Sequence, residues 1–195
     1  MDNGYVIIII MFIILIIICD MSLIEKFETY IVSKYDNNSY KVQDYPNKES
    51  AADILAKIRE NIEKLIKHLN DKYPNNTSVK RLNRRLNLEN ISEGKHENNT
   101  TSYTINKGEL ISLCIREKDK NKQLHRVNEL MFVVIHELAH IMSVSEGHTD
   151  EFMIHFKLLL QEANDCGSYI PINYKENPMK YCGMTVTNNP YFSKT

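Results

Sequence analysis

Two imidazoles and a carboxylate stand together in the run HELAH, residues 136–140, inside the segment MFVVIHELAHIMSVSEGHTDEF. On a helix turning ~100° per residue, His136 and His140 lie one turn apart, ~40° round the axis, so both can converge on one ion. Glu137 projects about a quarter turn away, where its carboxylate reaches a water beside that ion without taking a coordination position. That is the arrangement of a zinc-dependent peptidase, with the histidines as ligands and the glutamate as general base. A bare HExxH also arises in ordinary surface helices. The flanks argue against that: Leu130, Met131, Val133, Val134, Leu138, Ile141 and Met142 make an almost wholly apolar helix, and polar groups in such an element require partners.

His148 strengthens the metal reading. It follows Glu146 and Gly147 at a distance suited to a chain that turns back, since Gly147 can take a positive φ and end the helix while Thr149 caps the next one. His148 then serves as third protein ligand and leaves a fourth position to water, as catalytic zinc requires. Asp150 and Glu151 are alternative oxygen ligands, although acidic residues at a helix N-terminus are explained equally well by the dipole. His155 falls two turns beyond His148 and is expected on the helix surface. In the tail, Tyr181 or Tyr174 could donate a hydrogen bond to the oxyanion formed during hydrolysis, or simply pack.

A chain of 195 residues with 43% hydrophobic content has enough apolar material for one domain around one core. A formal charge of −1 gives no global attraction to nucleic acid or anionic lipid. The N-terminus is different in kind: YVIIIIMFIILIIIC, residues 5–19, is uncharged and Ile-rich, bounded by Asp2 and Asp20. Extended to residue 24, it predicts a transmembrane helix retained as an anchor, because a cleaved signal would show a basic start and a small-residue cleavage site. Lys26 and Lys34 follow the segment and no Lys or Arg precedes it, which places the rest of the chain on the cytoplasmic side under the positive-inside rule. Four dispersed cysteines, at 19, 114, 166 and 182, show no CxxC pair and predict reduced thiols, with Cys114 a small core residue.

The elements that must position the site follow from periodicity. Residues 25–46 predict a tether. From 50 to 70, Ala51, Ile54, Leu55, Ile58, Ile62, Leu65, Ile66 and Leu69 fall at helical spacing, and Pro74 ends the helix. A short helix over 78–86 carries Lys80, Arg81, Arg84 and Arg85, which predict a solvated face in preference to a phosphate-binding patch. Residues 102–105 and 109–116 predict two strands joined by a turn at Asn106, Lys107 and Gly108; the second, apolar on both faces, is expected within the sheet or beside the active-site helix, and is also a candidate edge along which an extended substrate pairs. After His148, a last helix runs to about 164, burying Phe152, Phe156, Leu159, Leu160 and Ala163, and the Pro- and Asn-rich tail packs back on the domain.

The segment VVIHELAHIMSVSEGHTDEF resembles the active-site segment of the WLM and SprT-like metallopeptidases: HExxH, a turn, a Gly-His step, then an acidic residue and Phe. The wider run, from TINKGELISLCIR to NPMKYCGM, resembles WLM-like proteins of large DNA viruses, and the similarity covers roughly residues 50–190. The resemblance implies His136, His140 and His148 as zinc ligands, Glu137 as catalytic base, and Met179 or Met184 in a methionine-containing turn. It departs from the usual WLM pattern in the seven residues between His140 and His148, where five are general. It also implies a proteinaceous substrate. The resulting expectation is an α+β, zincin-like domain over 47–195, with a small antiparallel sheet and an active-site helix, a tether over 25–46 and a membrane anchor over 1–24. In function, that is a membrane-anchored Zn²⁺ peptidase acting on protein or peptide substrates, in a host membrane or virion if the source is viral. A catalytically silent, zinc-binding membrane scaffold is the alternative.

Overall fold

The computed structural model describes residues 10–12, 28–95 and 101–193. In chain order these form β1 (Glu28–Val32), β2 (Ser39–Gln43), α1 (Lys48–Lys72), α2 (Thr77–Arg85), β3 (Ile91–Glu93), β4 (Tyr103–Ile105), β5 (Leu110–Leu113), α3 (Val127–Met142), α4 (Asp150–Asp165), β6 (Met179–Tyr181) and β7 (Met184–Val186), with single 3₁₀ turns at Leu88–Asn90 and Pro190–Phe192.

The architecture is α+β, but the sheet is not the small antiparallel one the sequence suggests. Five strands lie in the order β1-β2-β3-β5-β4, antiparallel at β1/β2 and β4/β5 and parallel at β2/β3 and β3/β5. The reason lies in α1: parallel neighbours need a long crossover, and this 25-residue helix carries the chain from β2 across the sheet before β3 begins. Residues 28–43, read from sequence as tether, form the β1–β2 hairpin of the same sheet. The 109–116 segment lies within the sheet, as its two apolar faces predict, and so is not the edge. Its strand, β5, lies between β3 and β4, and β4 is the edge.

The expected transmembrane helix also needs correcting. Apart from Ile10–Phe12, residues 1–24 lie outside the described residues, and no helix among the described residues is long and apolar enough to cross a membrane. The described residues therefore give the expected single-pass membrane placement and its cytoplasmic orientation no support.

The core sits between the sheet and the helices. α1 buries Ala51, Ala52, Leu55, Ile58, Ile62, Leu65 and Leu69 completely, the stripe that 3.6-residue periodicity dictates. α3 is buried almost all round, packing on α1, α2 and α4. At its start, the Glu129 carboxylate accepts from the Arg126 backbone N–H at 3.1 Å. At its end, the last carbonyls are met by cations of α2: Arg85 Nη1 donates to Ile141 O at 3.0 Å and Ser143 O at 2.9 Å, and Arg81 Nη1 to Met142 O at 2.7 Å. These two arginines are thus neither a solvated face nor a phosphate site. They cap the helix that carries HELAH, where positive charge also opposes the negative end of its dipole.

Candidate metal centre

One turn of α3 brings His136 and His140 together, with Nε2 atoms 3.2 Å apart. The loop after Met142 delivers His148, whose Nε2 lies 3.1 Å from that of His136. All three nitrogens fall within 4.8 Å of one another, the distance a shared metal ion demands. Gly147 takes φ +76° as expected, but inside the loop; the helix itself stops at Met142 with Ser143 as C-cap. Thr149 Oγ1 accepts from Phe152 N at 3.4 Å and starts α4.

The chemistry of the donor set fits a metal. Burial, with the neighbouring His140 and His148, depresses His136 to about 3, and burial foremost, then His148 and Lys107, lowers His140. Both rings are therefore held neutral, the form that offers a lone pair to a cation. The Phe152 ring lies against all three imidazoles, with centroids 4.3 Å from His140, 4.8 Å from His148 and 4.9 Å from His136. His148 is exposed, so the cluster is walled on one side and open on the other, as a catalytic site requires and a closed structural site does not.

Glu137 stands outside the imidazole cluster. It is 7% exposed, and burial pushes its carboxyl up to about 7 against an opposing hydrogen bond from Thr104. Tyr181 comes to the same place: it is 2% exposed, and it lines one pocket with Glu137 and His136. Its hydroxyl is hydrogen-bonded to Ser102 Oγ, which also accepts from Cys114 N at 3.0 Å, and burial raises its pKa. Tyr174, the alternative, packs edge-on against Phe132 at 4.9 Å and lines neither pocket beside the histidines. Met184 lines the pocket with His136 and His148, whereas Met179 lines a separate depression with His125. His155 is not at the cluster: its Nδ1 meets Ser143 Oγ at 2.9 Å and braces the end of α3. Nor is Glu151 free to ligate, because it accepts from Val144 N at 3.0 Å and Ser145 N at 2.9 Å. These backbone bonds, that of Ser145 first, lower its pKa to about 2.

Ser102 and Thr104 escaped the sequence reading. They sit at and beside a three-residue edge strand, and only the antiparallel register of β4 with β5 (Tyr103 opposite Ser112, Thr104 opposite Ile111) carries them to the glutamate and tyrosine. The disulfide Cys114–Cys182 was hidden too, and it corrects the expectation of reduced thiols. Sixty-eight residues apart in sequence, the two cysteines are brought to a Cα–Cα distance of 6.3 Å by the packing of the β6–β7 hairpin on the end of β5. The link falls on the residue after Tyr181 and fixes that side chain's backbone next to the site.

Comparison with known proteins gives this arrangement a family. The WLM domain matches residues 34–190. The chain belongs to the WLM family. That family is associated with peptidase-like activity and is linked to zinc. An uncharacterized protein of Acanthamoeba polyphaga mimivirus is 35% identical over 162 residues, covering 81% of this chain and 82% of its own length. Uncharacterized proteins of Invertebrate iridescent virus 3 and Invertebrate iridescent virus 6 are 42% and 40% identical over 83 and 86 residues, 43% of this chain and about half of theirs. No solved structure matches the chain.

Proposed function

We propose that this WLM domain is a zinc-dependent peptidase that hydrolyses peptide bonds of protein substrates. The observation that carries the reading is the convergence of three imidazole Nε2 atoms beside a buried carboxylate that is not one of the ligands. His136, His140 and His148 would hold Zn²⁺, which supplies Lewis acidity to activate water and to polarise a carbonyl. Glu137 takes the proton from the attacking water; a carboxyl whose pKa burial raises to about 7 is well matched to accept it and later pass it to the leaving amine. The Tyr181 hydroxyl, oriented by Ser102, donates toward the oxygen on which negative charge develops. β4, as the edge strand beside the site, offers main-chain groups along which an extended peptide can pair.

The test is metal analysis with a peptidase assay on wild type and Glu137→Gln. Stoichiometric zinc in both, with hydrolysis in the wild type and its loss by a factor of about 10² or more in the variant, is expected for removal of a general base. Undiminished proteolysis by Glu137→Gln sinks the mechanism. Bound zinc with no turnover by the wild type favours a catalytically silent binding protein.

A further inference from the structure

Two depressions meet at the histidines, and they differ in chemistry. One, about 620 Å³, runs beside β4 and is lined by polar groups including Ser145, Asn106 and Lys107. The other, about 500 Å³, is walled by Phe132, Phe152, Phe156, Met153, Met184 and Val186. Thr101, Ser102, His136, Glu137 and His148 line both, so the cluster and the carboxylate form the sill between them. A peptide laid along β4 and across that sill would turn one side chain next to the scissile bond into the apolar pocket.

We propose that this pocket is the specificity subsite of the enzyme and takes one large apolar side chain, Leu, Met or Phe, from a protein substrate. The inference rests on the peptidase reading above. Among the described residues, the pocket's lining contains no Lys, Arg or Asp, and its one carboxyl, Glu137, lies on the sill shared with the polar depression, so a charged side chain entering among the phenyl rings would lose its water without gaining a partner. A large apolar one exchanges water for three phenyl rings and two thioethers. The outer wall is anchored. Asn189 Nδ2 donates to Tyr169 OH at 3.0 Å and Ile172 O at 2.9 Å, and Lys157 Nζ donates to Ser193 O at 2.8 Å, which ties the segment after β7 to the rest of the domain. Met153 and Met184, both partly exposed at the mouth, can repack around branched or aromatic shapes, so the subsite selects for size and apolarity more than for one residue.

The experiment uses the full chain loaded with Zn²⁺ and a set of peptides that differ at one position, carrying Leu, Phe, Asn, Lys or Glu. Cleavage sites are mapped by mass spectrometry, and binding of the same peptides to the zinc-loaded Glu137→Gln protein is measured by fluorescence anisotropy. Leu and Phe are expected beside the cleaved bond, and to bind at least tenfold tighter than Lys or Glu. Met184→Lys, at a half-exposed position on β7, should erase that preference while zinc content and the thermal transition stay as in wild type. Met153→Glu, on α4 in the same pocket lining, should do the same and raise acceptance of Lys. Cleavage with no apolar preference on either side of the bond overturns the subsite and leaves the peptidase reading standing. Absence of cleavage with the apolar binding preference intact, and lost in Met184→Lys, supports the pocket and removes the peptidase. Equal binding of all five peptides overturns the pocket whatever the activity.

Discussion

In the metal-free protein, Glu137 should act as a pH-dependent liability, and Glu137→Gln isolates it. Its carboxyl titrates at about 7 when folded, chiefly because burial penalises the anion, against 4.5 ordinarily. Between those values the folded chain holds a proton that the unfolded chain has released, so stability falls as pH rises through the window. Above about pH 7 the whole penalty is expressed, on the order of 3 kcal/mol. Glutamine has nearly the same shape and nothing to ionise. The variant should match the wild type within about 1 kcal/mol at pH 4.5 and exceed it by about 3 kcal/mol more at pH 8. With a urea m-value of about 2 kcal/mol/M, the gap in midpoints widens by roughly 1.5 M. His136, depressed to about 3, pulls the other way and weakens the folded state as pH falls below about 6.5, but it is present in both proteins and cancels in the comparison. The measurement is urea unfolding followed by circular dichroism, with chelator present, at pH steps from 4.5 to 8. A midpoint gap that stays constant across the series would mean that the carboxyl is solvated, and the argument for a poised base would fail with it.

Two further perturbations test how the site is held. Gly108 sits at φ +115° in the β4–β5 turn, and a Cβ there would lie 2.7 Å from Arg85 O and 3.1 Å from Ile141 Cγ2; Gly108→Ala should therefore cost about 2 kcal/mol or more in urea unfolding, and a variant as stable as wild type would refute the packing of this turn on α2 and α3. The Cys114–Cys182 link closes a long loop, 68 residues in sequence separation, worth about 4 kcal/mol by the chain-entropy estimate; the Cys114→Ser/Cys182→Ser protein should lose stability on that scale under non-reducing conditions, and identical unfolding with and without reductant in the wild type would show that the two thiols are not joined.

The parts of the site that could be read from sequence are those set by local periodicity. His136, Glu137 and His140 need only one helix, and the apolar residues around them declare that helix buried. The Gly-His step likewise marks a turn without reference to the rest of the fold. Ser102 and Thr104 are different: short polar residues near a three-residue strand carry no pattern, and their place beside Glu137 depends on pairing with β5. The same holds for Arg81 and Arg85, whose spacing looks like a solvated face because the carbonyls they cap lie some sixty residues ahead. The mixed sheet was not legible because β2 falls in residues that read as tether and β3 is three residues long; once β2 is placed, the long helix after it supplies the crossover that returns the chain parallel to its start.

The seven residues between His140 and His148 would be a poor way to hold a ligand if they moved freely, because each metal-binding event would have to order them. The structure answers this with bonds from several directions. Arg85 fixes Ser143 O, Lys107 Nζ donates to Val144 O at 2.7 Å, and the Glu151 carboxylate gathers the N–H groups of Val144 and Ser145 with the Ser145 hydroxyl. The loop is thereby tied to α2, to the β4–β5 turn and to the first turn of α4 before any ion arrives. A longer connection then does not mean a looser His148: the extra residues supply the backbone groups that Glu151 and Lys107 grip, and His148 projects from a loop whose ordering has already been met by folding.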